Sequence, residues 1–158
     1  MKTMAVNHEL RFECPEGFHV MDEEERSRLN FYGEGECECL SDPDRHIIIS
    51  IGWARLGGLG AALGGAASAA KNMEKKLSKP MQQYGYRLLN MKDAMLDGEA
   101  AKGYCYEYET QGIGMVGESY ACKRNKTMYY LHVYYRKELQ GESLPVWEGI
   151  FSSMRWIR

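Results

Sequence analysis

Gly112-Ile113-Gly114-Met115-Val116-Gly117 has the G-x-G-x-x-G spacing that in dinucleotide-binding proteins lets a backbone approach a pyrophosphate. That chemistry needs a helix next, because the phosphates rest on a helix N-terminus. Here Glu118-Ser119-Tyr120-Ala121-Cys122-Lys123 alternates in character as a strand does. The motif therefore predicts a hairpin turn. Gly57-Gly58-Leu59-Gly60, continuing to Gly64-Gly65, does precede a helical pattern, but it lacks the Gly-Lys-Ser/Thr ending of a phosphate loop. Cys37-x-Cys39 could seat two thiolates on one side of an extended segment, with Cys14, His19 or His46 completing a tetrahedral set. The C-x2-C pairs usual in such sites are missing, and buried structural thiols are the simpler reading. The chain has no Gly-x-Ser-x-Gly elbow and no His-Glu-x-x-His pair. We read no catalytic residue, no metal site and no cofactor.

Tyrosine is the unusual residue, with eleven copies, eight of them in 104–135. A phenol suits a strand, and its hydroxyl lets the ring sit half-buried at an interface. Tyr106, Tyr108, Tyr130 and Tyr134, with His132 alternating between the last two, form the candidate surface for a partner or ligand. The first expectation is a non-enzymatic adaptor or chaperone-like module for an unknown protein partner. The alternative is a small-molecule binder whose cavity lies between sheet and helices, with His132 supplying a polar contact.

Those residues need strands to carry them. Residues 10–14 alternate in polarity and stop at Pro15, and Asp22 with Glu25 makes a capping box for a short acidic helix. Gly33 and Gly35 break the chain before a strand over 36–40 and a turn at 41–44. Ile47, Ile49, Ile51 and Trp53 share one face of the strongest strand in the first half. Ala66, Ala69, Ala70, Met73 and Leu77 make a narrow helical stripe that Pro80 is expected to end, with Glu74, Lys75 and Lys76 outward. Strands follow over 86–91, 100–110, 115–123 and 128–135, joined by short turns as in an antiparallel meander. Ser143 is placed to cap a last helix bearing Trp147, Ile150, Phe151, Met154 and Ile157.

At 158 residues the chain is one domain, 1–158, with its core over about 10–157. A chain of this size buries roughly 70% of its unfolded surface, so it needs no metal or disulfide staple. With 20 basic against 22 acidic residues and a pI near 6.1, no nucleic-acid partner is expected. No apolar run is long enough to span a bilayer, and no membrane partner is expected. The first ten residues reach Glu9 without a secretory apolar core, and five cysteines make an odd set. A cytoplasmic protein with reduced thiols is the expectation.

The opening Leu10-Arg11-Phe12-Glu13-Cys14-Pro15-Glu16-Gly17-Phe18, the strand over 47–53 leading to a long helix, and the closing Ile150-Phe151-Ser152-Ser153-Met154-Arg155 resemble the PsbP-like superfamily. That superfamily includes the yeast Ran-binding Mog protein and bacterial relatives. The resemblance covers roughly 10–156. It implies an α+β fold, a three-layer αβα sandwich around a central antiparallel sheet. It also implies non-enzymatic roles such as Ran binding, photosystem assembly or chaperoning of secreted effectors. No functional residue is carried over by position.

Overall fold

A computed structural model describes residues 1–29, 36–57 and 65–158. The glycine breaks at 33 and 35 and most of the segment 57–65 lie outside these residues. Strands β1 (Lys2–Val6) and β2 (Leu10–Cys14) pair antiparallel across a turn in which Asn7 and His8 both have positive φ. Asn and His are among the side chains that tolerate that conformation. After the stub β3 (His19–Val20), helix α1 (Glu23–Ser27) starts on the expected capping box: the Glu25 amide donates to Asp22 Oδ1 and the Asp22 amide to Glu25 Oε1.

Strands β4 (Glu36–Asp42) and β5 (Ile47–Arg55) precede helix α2 (Ala66–Met81). The meander follows as β6 (Arg87–Leu96), β7 (Glu99–Thr110), β8 (Ile113–Arg124) and β9 (Thr127–Arg136). Helix α3 (Gln140–Ser153) and the stub β10 (Arg155–Trp156) close the chain. The main sheet has the order β3-β4-β5-β9-β8-β7-β6, with every pair antiparallel. A small second sheet has the order β1-β2-β10.

The main sheet is the middle of three layers. On one face, Ile47, Ile49 and Ile51 of β5 and Tyr129, Leu131, Val133 and Tyr135 of β9 bury against α3 and the small sheet. Phe12, Trp147, Ile150, Met154 and Trp156 fill that core from the other side. Each fully buried side chain of this size contributes roughly 1.5–3 kcal/mol. On the opposite face α2 lies over β7 and β8 and covers a second, tyrosine-lined core. The expected αβα arrangement is present, with its third layer shared between α3 and the small sheet.

Three local expectations are corrected. Pro80 does not end α2 but sits in its last turn, where it removes a single backbone bond one residue before the helix closes. A one-turn 3-10 helix (Gln82–Tyr84) and Gly85, at φ 69°, then redirect the chain. Ser143 is no cap: α3 is entered through the 3-10 turn Lys137–Leu139, which leaves Ser143 buried inside the helix. Ile157 is not a core position; the backbone extends at Met154, so Trp156 turns inward in β10 and Ile157 is exposed.

Candidate functional site

Strand alternation and register place the tyrosines named from the sequence on the α2 face of the sheet. Tyr106 and Tyr134 lie on either side of Gly117, and Tyr104 is opposite Ser119, which is opposite His132. The rings of Tyr104, Tyr106 and Tyr108 run along β7 with centroids 5.7 and 5.8 Å apart. Tyr106, Tyr108 and Tyr134 are buried with Met81, and Met73, Leu77 and Tyr86 pack against them. These three rings are core residues rather than an exposed surface. Tyr130 and His132 are half-buried, Tyr130 against Ala69, Met73 and Leu56. The expectation of an open aromatic face fails because α2 covers exactly the strands that carry those side chains, a placement strand alternation cannot reveal. Burial raises the phenols of Tyr106, Tyr108 and Tyr134, so all three stay protonated.

His132 Nδ1 and Ser119 Oγ are 2.7 Å apart, and the imidazole stacks on Tyr134 at 6.2 Å with 6° between the planes. Burial pulls its pKa down to about 4, so the ring is neutral at pH 7. Ser119 is fully buried, and no carboxylate among the described residues hydrogen-bonds the imidazole. The pair lacks the access and the orienting third group that an activated serine needs.

The glycine motif folds as expected. Gln111 and Gly112 take positive φ at the β7–β8 turn, and Gly114 and Gly117 lie within β8. Gly117 is there to make room: a Cβ on it would come 2.3 Å from Tyr106 Cζ. Gly112, Ile113, Gly114, Lys137 and Glu138 line an open depression between this hairpin and the 3-10 turn Lys137–Leu139. Cys37 is half-buried and Cys39 buried, and burial raises the Cys39 thiol to about 11. Among the described residues no three His, Cys, Asp or Glu side chains converge on a common point.

Two features escape sequence reasoning. The first is Glu118, 3% exposed on the α3 face. It accepts from Lys92 Nζ at 3.1 Å, Trp147 Nε1 at 3.0 Å and Tyr120 Oη at 3.3 Å. Burial opposes the Lys92 charge, yet Glu118, Cys105 and Glu148 together raise its pKa. The second is β6, the sheet's last strand, ten residues long and paired on one side alone. Leu88, Leu89, Met91 and Met95 are 41, 42, 51 and 62% exposed. Leu88, Met91 and Met95 lie opposite Tyr106, Tyr104 and Ala100, and a register shift falls at Leu89. α2 stops short of this strand, so its apolar side chains have no cover of their own. The sequence signal was the apolar run Leu88-Leu89 and Met91; what it lacked was any sign that the strand is an edge.

No family model matches the chain, and no curated protein matches its sequence. Solved structures do match its fold. The cyanobacterial PsbP (CyanoP) of Synechocystis superposes with a TM-score of 0.71 at 12% identity, covering 99% of this chain and 92% of that one. LpqN of Mycobacterium tuberculosis, described as involved in cell envelope biogenesis, gives 0.62 at 10% identity, covering 94% and 83%. A Bacteroides thetaiotaomicron protein gives 0.56 at 10% identity, covering 94% of this chain and 45% of its own. Three layers, antiparallel order and near-complete coverage agree with what the opening and closing segments implied. This chain has the PsbP-like fold.

Proposed function

We propose that this chain is a non-enzymatic protein-interaction module that engages its partner along β6. The open ten-residue edge with four exposed apolar side chains carries the reading. Natural sheets normally shield such an edge because its free peptide groups template another strand. An extended polypeptide adding there would gain backbone bonds from the edge and apolar contacts from alternate side chains. Fold likeness supports the scaffold, since one fold hosts many roles and function lives in the site. The five cysteines, all unpaired, support a reducing compartment such as the cytoplasm.

The test is affinity capture from native lysate with the intact chain and with a Leu88→Ser/Met91→Ser/Met95→Ser variant. These exposed positions leave the core intact, and circular dichroism checks that the variant is folded. A partner held by the intact chain and lost by the folded variant supports the module. Capture that is indifferent to all three substitutions overturns the β6 reading.

A further inference from the structure

Helix α2 carries four lysines against one glutamate, although the whole chain is slightly acidic. Lys71, Lys75 and Lys79 repeat every four residues, which places them in one row, and all three are exposed. None forms an ion pair among the described residues. Glu74 shows which way this row faces. Its Oε1 accepts from the Tyr86 hydroxyl at 2.9 Å, and Tyr86 immediately precedes β6. Lys71 and Ser78, three residues before and four after Glu74, share that flank, and Lys75 follows Lys71 by one turn on its solvent side. The other flank, Ala69 and Met73, faces Tyr130 and Leu56. A free cationic row thus borders the same side of the sheet as Leu88, Met91 and Met95.

Resting on the β6 reading, we infer that the partner segment is an extended, acidic polypeptide. It adds antiparallel to β6 with apolar residues beside Met91 and Met95 and carboxylates toward Lys71 and Lys75. A second copy of this chain fits poorly. Antiparallel pairing of β6 with itself uses a twofold normal to the sheet, which sets both α2 helices on one face with their lysine flanks opposed. An anionic bilayer would satisfy the lysines but not the free peptide groups of the strand edge.

The probe is acetylated, amidated Leu-Val-Glu-Val-Leu-Val-Glu-Val, compared with the same peptide carrying Lys for Glu. Binding is followed by amide shifts of the full-length protein. The expected result is saturable shifts confined to 87–96 and α2, with the acidic peptide at least tenfold tighter and weakening as salt rises. Lys71→Glu/Lys75→Glu, both exposed substitutions, should erase or invert the preference. Equal affinity for the two peptides, or shifts elsewhere, overturns the inference. So does a dimer in sedimentation that the Met91 and Met95 substitutions dissolve, or binding to phosphatidylserine vesicles without peptide binding. Lysate capture separates the two readings: a partner lost with the apolar triple variant but kept by Lys71→Glu/Lys75→Glu leaves the module standing and removes its acidic partner.

Discussion

Glu118 joins the closing helix to the sheet through charge. Its carboxylate reaches Trp147 on α3, Tyr120 on its own strand and Lys92 on β6. Removing one member of a buried pair costs roughly 3–5 kcal/mol, and less where a partner reaches water as Lys92 does. Glu118→Ala should therefore lose about 2–3 kcal/mol in urea unfolding, with a changed Trp147 emission as its indole loses its acceptor. Gly117→Ala should lose about 1–3 kcal/mol because its methyl meets the Tyr106 ring. Gly149→Ala, exposed within α3 with nothing near its Cβ, should gain up to about 1 kcal/mol in the same assay.

His132 gives a pH signature at the same scale. Its folded pKa of about 4 lies below the ordinary 6.5, so the unfolded chain takes up the proton first. The contribution of the neutral ring is complete above pH 6.5 and is lost as pH falls through the interval down to 4. Thermal melts of the chain and of His132→Phe should diverge in slope across that window, the variant being flatter. Parallel slopes would assign the pH dependence to other groups.

Among the elements, β6 and the central strands should differ most. β8 and β9 are paired on both sides and buried on both faces, whereas β6 has one open side. Hydrogen exchange should show the outward amides of β6 exchanging at least a hundredfold faster than those of β9. Several elements were legible locally. The capping box fixed α1, and alternation fixed β2, β5, β7 and β8. The β6–β7 hairpin was legible only in part: the strand read over 86–91 runs on to Leu96 and closes through the Asp97-Gly98 turn, both residues at positive φ. Strand β1 was not legible: its Lys2-Thr3-Met4-Ala5-Val6 gains strand character by pairing with β2. β10 exists because Trp156 docks at the hairpin, its amide donating to Asp97 Oδ2 at 2.9 Å and its indole to the Leu96 carbonyl at 3.0 Å.

At the scale of the whole molecule, both cores share one sheet, so neither can melt without exposing the back of the other. Urea unfolding followed by tryptophan emission and by circular dichroism should coincide in one transition. Adding a reductant should leave that transition in place, because all five thiols are already free. A shift on reduction would reveal a disulfide and remove the support for a reducing compartment.

The sequence alone determined what depends on neighbours in the chain: strand alternation, the capping box, and the glycine motif as a hairpin instead of a phosphate cradle. It also determined the layered α+β class, since those patterns leave few ways to bury their apolar faces. Tertiary structure alone decided which face is covered. Tyr106 and Met91 look equally available in a strand pattern. The one is sealed because α2 crosses β7, and the other is open because β6 lies beyond the helix. Periodicity reports which residues share a face, but burial depends on what the rest of the chain lays over that face.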